Sequence, residues 1–241
     1  MRKLYIDNIR WITVVLVVLY HVIYMFNGVE TFGVIGPFSD VQYQDAFQYI
    51  VYPWFMLLLF AVSGMSARYE LVRRSEKEFI KKRTGKLLVP STLGLLVFWW
   101  ILGYYNLLIG GGLEQMAAVP KPVLFIIMAV SGIGPLWYIQ MLWIFSVLLI
   151  WVRRVEKDRL WKLGEKANVP FLVLFAIVIW GAAQILNTPM VVVYRFGIYG
   201  AGFFVGYFVL SHDEVVDHLE KCWLLLAVCA IILAAAFTVL Y

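Results

Sequence analysis

The sequence has few charged residues and only two cysteines. Asp, Glu, Lys and Arg together make up 15% of the 241 residues, whereas hydrophobic residues make up 63%. Cys222 and Cys229 both fall in or beside the last apolar segment. They cannot join two helices by a disulfide bond, and neither has the spacing of a metal ligand. We therefore expect neither a disulfide framework nor a metal site.

Several motifs of catalysis and nucleotide binding are also missing. The sequence contains no Gly-rich phosphate loop of the Walker or dinucleotide type, no H-E-x-x-H pattern and no motif typical of a Ser-His-Asp catalytic triad. All Asp and Glu residues lie in predicted loops or at the edges of apolar segments. Because ion-driven transport commonly uses a carboxylate inside the membrane, this distribution argues against an ion-coupled transporter.

Long apolar segments dominate the sequence instead. They run for about 17 to 25 residues, the length of an α-helix that crosses a bilayer, and the mean hydropathy is +0.85. The sequence therefore predicts an all-α, polytopic transmembrane helical bundle that forms a single domain over residues 1–241. We place about seven spans at 9–27, 46–67, 87–109, 136–152, 169–187, 195–211 and 222–241.

The apolar tract from Lys121 to Val152 is too short for two spans, because the sequence S-G-I-G-P interrupts it at Ser131 to Pro135. We predict a short re-entrant or interfacial helix at Pro122 to Val130, followed by a true span. Broken helices at membrane depth occur where they line protein or a cavity, so the interruption is a candidate site wall. The alternative is a plain turn, with Trp137 and Tyr138 as aromatic residues at the membrane interface.

The positions of the basic residues indicate the orientation. If the N-terminus is cytoplasmic, only Lys121 and Arg195 of the 20 Lys and Arg residues lie outside, in agreement with the positive-inside rule. The basic N-terminus precedes a long apolar run without a small-residue cleavage site, so we expect a retained first span. In this interpretation the basic loops set the topology and contact membrane lipids, and no nucleic acid is a partner.

The first span carries an ionisable residue about midway along its length. His21 lies eleven residues after Arg10, which on a helix places both on nearly the same face and about 16 Å apart. Imidazole can accept a proton from an alcohol near neutral pH, so His21 is a candidate general base, with a packed structural histidine as the alternative. We expect Asp7 to cap this helix or to orient Arg10, and His212 and His218 to lie on a solvated cytoplasmic helix.

Arg10 and His21, with ten residues between them, resemble the R-x10-H signature of the family 3 membrane acyltransferases. Four further elements follow in the family's order, and their order and placement are specific although each is weak alone. They are Phe60 to Gly64 (F-x-x-S-G), Arg83 to Pro90 (R-x-x-R-L ending in Pro), Leu136 to Ile139 (L-W-[FY]-[IL]) and Phe203 to Gly206 (F-x-x-G). The resemblance extends over all 241 residues.

The resemblance implies an O-acyltransferase of a bacterial cytoplasmic membrane. Such enzymes move an acyl group, commonly acetyl or succinyl, from cytoplasmic acyl-CoA to a hydroxyl of an envelope glycan or lipid-linked sugar. Acyl-CoA is then a co-substrate, and no permanently bound cofactor is expected. The residues expected at the site are His21 as general base or transient acyl carrier, with Arg10 as its catalytic partner; Arg10, Arg83 and Lys86 on the phosphates of CoA; and Ser63, Trp137, Tyr138 and Arg195 on the acceptor side.

The sequence departs from the family pattern at two points. Lys86 replaces the second Arg of the basic element, which keeps the charge but loses the planar guanidinium. A usual family member has additional closing helices, so we expect this chain to be incomplete at its C-terminus. The alternatives to the enzyme are a non-enzymatic transporter and an inactive acyltransferase fragment, and for Arg195 the alternative role is an anchor at the membrane interface.

Overall fold

The computed structural model describes residues 3–27, 36–37, 43–186 and 195–240. The regular structure within these ranges is entirely helical, which confirms the all-α prediction for this part of the chain. The helices are α1 (Leu4–Tyr24), α2 (Asp45–Leu71), α3 (Glu76–Arg83), α4 (Val89–Gly94), α5 (Trp100–Ile109), α6 (Gly112–Gln115), α7 (Lys121–Ser131), α8 (Leu136–Glu156), α9 (Arg159–Glu165), α10 (Val169–Leu186), α11 (Phe196–Phe208), α12 (Asp213–Lys221) and α13 (Trp223–Leu240).

Within the described residues, four helical segments are long and apolar enough to cross a membrane, namely α1, α2, the segment Glu76–Ile109 and α8. Helices α12 and α13 add a fifth span if they are counted together, although the chain bends by 71° between them. The predicted spans at 169–187 and 195–211 correspond to shorter apolar helices, and residue 187 lies outside the described ranges. The described residues therefore support four or five spans of full length rather than about seven.

Helix α1 packs on α2 along a stripe that repeats every seven residues. The stripe consists of Ile6, Thr13 and Tyr20, all of which are buried. The hydroxyl of Thr13 donates a hydrogen bond to the carbonyl oxygen of Ile9 at 2.7 Å, which satisfies this polar side chain within its own apolar helix. The rest of the α1 surface is largely exposed and apolar.

Helix α11 packs closely against α2 because both helices carry glycine at the contact. A Cβ atom at Gly64 would lie 2.0 Å from the carbonyl oxygen of Phe203, and one at Gly206 would lie 2.0 Å from the carbonyl oxygen of Ala61. Small residues let helix backbones approach in membranes, where close packing stabilises association. The F-x-x-S-G and F-x-x-G elements of the sequence therefore meet each other in the fold.

Two π-helical turns interrupt the third membrane segment. The first, Thr84–Leu88, directly follows α3 and lies just before Pro90, and the second, Leu95–Trp99, separates α4 from α5. Proline lacks an N–H group and its ring clashes with the carbonyl four residues earlier, which favours a wider turn at that point. The first turn also places the hydroxyl of Thr84 so that it accepts a hydrogen bond from Trp143 Nε1 at 2.9 Å.

The predicted short helix at 122–130 is present as α7, and it packs against α5 through glycine. A Cβ atom at Gly103 would lie 1.6 Å from the carbonyl oxygen of Met128, and one at Gly132 would lie 1.9 Å from the carbonyl oxygen of Trp99. Gly134, in the turn that follows, has φ of +45° and lies beneath the Trp99 ring. The S-G-I-G-P turn is therefore fixed against the third segment by backbone contact.

Candidate functional site

A pocket of about 350 Å³ opens between the start of α1, the end of α2 and the last turn of α3, a region that we call the basic end of the bundle. The cations on its wall outnumber the carboxylates. The lining residues are Lys3, Ile6, Asp7, Arg10, Ser66, Tyr69, Glu70, Arg73, Arg74 and Lys82. A concave site with this surplus of positive charge suits a polyanionic ligand.

Arg10 bridges α1 and α2 at the floor of this pocket. One guanidinium nitrogen lies 3.3 Å from Asp7 Oδ1 and the other donates to the hydroxyl of Ser66 at 2.5 Å. Asp7 thus orients Arg10, which confirms one of the two predictions for Asp7. The other prediction, that Asp7 caps the helix, was wrong, because Lys3 occupies the cap position of α1. The side chain of Arg10 remains 40% exposed and faces the pocket.

Glu70 organises the remaining cations. Its carboxylate accepts a hydrogen bond from Lys82 and lies 3.5 Å from both Arg74 and Arg83. Only 15% of the Glu70 side chain and 13% of the Arg83 side chain are exposed, so this cluster is packed into the protein. Sequence reasoning missed Glu70, although its spacing of four residues before Arg74 is the helical spacing of an ion pair.

The structure places one of the three residues predicted for the CoA phosphates on the wall of the basic pocket. Arg10 lines it, whereas Arg83 does not and instead lies 3.5 Å from Glu70 and 5.0 Å from the ring centroid of Phe79. Lys86 does not line the pocket, because it lies on an exposed face of the first π-helical turn. Lys86, which stands where the family has its second Arg, therefore also lies away from the pocket.

Ser63 and Tyr138, both predicted on the acceptor side, meet one helical turn inward from the basic pocket. Their hydroxyl oxygens lie 3.1 Å apart, and the Tyr138 hydroxyl is 3.5 Å from the carbonyl oxygen of Leu59. Ser63 precedes Ser66, the partner of Arg10, by one turn of α2. The Ser63 and Tyr138 pair therefore lies one turn deeper than the contact of Arg10 with Ser66, and we call these four polar side chains the wall.

Trp137 turns toward a different part of the core. Its ring centroid lies 5.3 Å from that of Tyr199 and 6.1 Å from that of Phe60. Arg195, at the start of α11, lies with its Cζ atom 5.5 Å from the ring centroid of Tyr52. The predicted acceptor residues therefore divide into two groups. Ser63 and Tyr138 lie closer to the basic end, whereas Trp137 and Arg195 lie farther from it.

His21 lies on the same uninterrupted helix as Arg10, so the predicted separation of about 16 Å along the axis applies. The side chain of His21 is exposed, which argues against the alternative of a packed structural histidine. Helix α1 contacts α2 through the Tyr20 face beside it. Nδ1 of His21 lies 2.7 Å from the carbonyl oxygen of Val17. Since a carbonyl only accepts, Nδ1 carries the proton in this contact, and in the neutral imidazole Nε2 is then the nitrogen with the lone pair.

Comparison with known protein families identifies the family of this chain. Residues 3–241 match the family model Acyl_transf_3, described as an acyltransferase domain. The chain belongs to acyltransferase family 3. No curated protein and no solved structure matches the chain significantly. Together with the long apolar helices, this identifies an integral membrane protein with an acyltransferase domain.

A second polar cluster of this acyltransferase family member surrounds His212. The expectation that His212 lies on a solvated helix was wrong, because its side chain is 5% exposed and its ring stacks on Trp161 at 3.7 Å. Nε2 of His212 lies 3.1 Å from the carbonyl oxygen of Trp161, and Arg68 lies 3.5 Å from the ring centroid of Trp161. Burial lowers the pKa of His212. His218 is exposed on α12, as expected.

Proposed function

We propose that this protein transfers an acyl group, acetyl or succinyl, from cytoplasmic acyl-CoA to a hydroxyl of an envelope carbohydrate or lipid-linked sugar. The basic end then faces the cytoplasm of a bacterium, as the distribution of Lys and Arg favours. The observation that carries the proposal is the arrangement on α1, where Arg10 lines a cationic pocket and His21 lies about 16 Å farther along the same helix.

The basic pocket is the site we assign to the nucleotide part of the donor. Phosphate groups bind arginine through paired N–H donors and lysine as a point charge. Arg10, Arg73, Arg74, Lys3 and Lys82 supply both kinds of donor on one wall. In this proposal Glu70 holds Arg83, Arg74 and Lys82 in place before the donor arrives.

The pantetheine arm would run from this pocket toward His21. The hydroxyl pair of Ser63 and Tyr138 was expected on the acceptor side, but it lies one turn inward from Ser66, the partner of Arg10. We therefore assign the pair to the donor, where it can hydrogen bond the amide groups of the arm. This places the polar groups of the wall between the phosphate site and the imidazole. The thioester at the end of the arm then lies near His21.

His21 is the base in this scheme. Nε2 accepts the proton of the acceptor hydroxyl while the oxygen attacks the thioester carbonyl, and the C–S bond then breaks as the CoA thiolate takes the proton back from the imidazole. Atoms and charges balance without a metal or a second cofactor. The bond from Nδ1 to the carbonyl of Val17 keeps Nε2 in the form that can accept this proton.

The experiment compares wild-type membranes with His21→Ala and His218→Ala membranes at equal protein levels. Labelled acetyl-CoA and succinyl-CoA are added, and the label in envelope glycans and the CoA released are both measured. His21→Ala should lower transfer at least about a hundredfold, whereas His218→Ala, which removes an exposed histidine, should leave it unchanged. Transfer that survives His21→Ala rejects the base, and a wild type that neither labels envelope glycans nor releases CoA rejects the acyltransferase.

A further inference from the structure

A row of aromatic rings connects the neighbour of His21 with Arg195. The ring of Tyr20 lies 5.5 Å from that of His21 and stacks at 5.9 Å on Tyr24 and at 5.8 Å on Tyr52. The Cζ atom of Arg195 lies 5.5 Å from the Tyr52 ring centroid. Tyr20 is buried whereas Tyr52 is 40% exposed, so the row has a packed base and an accessible edge.

Arg195 is a cation held in place by this row. A guanidinium near an aromatic ring is attracted by the ring quadrupole, and the attraction is stronger where water is excluded. The ring contact by itself pairs none of the five N–H donors of guanidinium with an oxygen atom. Those donors have the fork geometry that matches a carboxylate or a phosphate.

The anion that Arg195 would bind cannot be the phosphate of the donor in its proposed site. Tyr52 and Glu70 lie on the same uninterrupted helix α2, eighteen residues and therefore about 27 Å apart along the axis. The basic pocket lies at the Glu70 end and Arg195 at the Tyr52 end. With acetyl-CoA as the donor, which is the donor used below, the transferred group carries no charge. An anion at Arg195 must then belong to the other substrate.

We propose that Arg195, positioned by Tyr52, recognises an anionic group on the acceptor while the acceptor hydroxyl lies at His21. The proposal rests on the proposed function, because it assigns a substrate to the far side of the same base. The acceptor is then a sugar with a carboxylate on its ring, or a sugar joined to a lipid through a phosphate. Both present negatively charged oxygen atoms to the same guanidinium.

The experiment uses acetyl-CoA as the donor and three acceptors that differ in charge. They are octyl β-D-glucoside, octyl β-D-glucuronide and glucose joined through a phosphate to a short isoprenyl chain, each added below its micelle concentration to protein in nanodiscs. Wild-type protein should transfer the acyl group to at least one charged acceptor about tenfold more efficiently than to the neutral one, a ratio that corresponds to about 1.4 kcal/mol. The two charged acceptors distinguish a ring carboxylate from a linking phosphate.

The variants test which residues set this preference. Arg195→Gln and Tyr52→Leu should lose it, Arg195→Lys should restore part of it, and Lys121→Gln should keep it, because Lys121 is exposed at the start of α7 and lies outside both sites. A preference for charged acceptors that survives Arg195→Gln, or equal use of all three by wild type, overturns the proposal.

Binding without turnover separates this proposal from the proposed function. Microscale thermophoresis of the purified protein measures the affinity of the same three glycosides in the absence of acyl-CoA. A charged glycoside that binds wild type about tenfold more tightly than Arg195→Gln supports the subsite even if no transfer occurs, in which case only the acyltransferase assignment fails. Equal binding of charged and neutral glycosides to the wild type overturns the subsite, whatever the transfer assay shows.

Discussion

The hydroxyl oxygens of Ser63 and Tyr138 lie 3.1 Å apart although 75 residues separate them in the chain. The contact joins the end of the F-x-x-S-G element on α2 to the L-W-Y-I element at the start of α8. The contact forms because α8 begins directly after the S-G-I-G-P turn, which places Tyr138 beside Ser63 in the interior of α2. Two sequence elements that sequence analysis could only order along the chain therefore share one polar contact.

Removing the Tyr138 hydroxyl should weaken the proposed donor path with little effect on packing. In Tyr138→Phe the ring still packs against Phe60 at 4.9 Å, but the bond to Ser63 is lost, at a cost of about 1 kcal/mol in stability. We expect a severalfold higher KM for acyl-CoA and a similar effect from Ser63→Ala. Steady-state kinetics with Tyr105→Phe as the control, a change on an exposed ring, checks this, and an unchanged KM in both variants contradicts it.

A methyl group at Gly132 should destabilise the turn between α7 and α8. The added carbon would lie 1.9 Å from the carbonyl oxygen of Trp99, so the backbone of α7 must move away from α5. Gly132→Ala should therefore lower the thermal midpoint by several degrees, because overpacking a close contact costs about 1 to 3 kcal/mol. Gly181→Ala is the matched control, since nothing lies within 4 Å of its added carbon. Equal midpoints for the two variants contradict the packing.

Neutralising Glu70 should destabilise the basic end. In Glu70→Gln, Lys82, Arg74 and Arg83 lose their shared negative partner while they remain close together. Repulsion among partly buried cations should reduce the free energy of unfolding by about 1 to 3 kcal/mol. Thermal unfolding in detergent measures the loss, and Glu220→Gln on the exposed face of α12 provides the control. A midpoint equal to that of the control shows that the cluster needs no counter-charge.

His212 should make the fold sensitive to mild acid. Burial against Trp161 lowers its pKa in the folded protein below the ordinary value of 6.5. The folded state therefore binds fewer protons than the unfolded state, and the His212 contribution to stability is complete above pH 6.5 and declines as the pH falls below it. His212→Asn should reduce the difference in thermal midpoint between pH 7.5 and pH 5.5. His218→Asn, an exposed site, should leave that difference unchanged.

Local sequence patterns predicted much of the fold, because apolar runs and helical spacing depend only on residues that are close together in the chain. The apolar runs located α1, α2, the third segment and α8. The S-G-I-G-P interruption located the end of α7, and the spacing of Asp7 and Arg10 predicted their contact. Each of these features follows from hydrophobicity or from the helical repeat over a few residues.

Contacts between distant segments could not be predicted in this way. No local pattern shows that Glu70 holds Arg83, that His212 stacks on Trp161, or that Arg195 lies over Tyr52. The position of Lys86 was missed because a π-helical turn rotates the residues that follow Arg83 relative to a regular helix. The exposure of His21 depends on which face of α1 contacts α2, and α1 is apolar on almost every side.

The sequence by itself determined that this chain is a helical membrane protein, and it placed Arg10 and His21 about 16 Å apart on one helix, since both results follow from composition and helical rise. Only the tertiary structure decided which polar side chains meet. Arg10 reaches Ser66 and Ser63 reaches Tyr138 through the packing of α2 against α1 and α8, and Arg195 lies near Tyr52 because glycines let α2 and α11 approach each other closely. Such approach depends on complementary shapes of segments far apart in the chain.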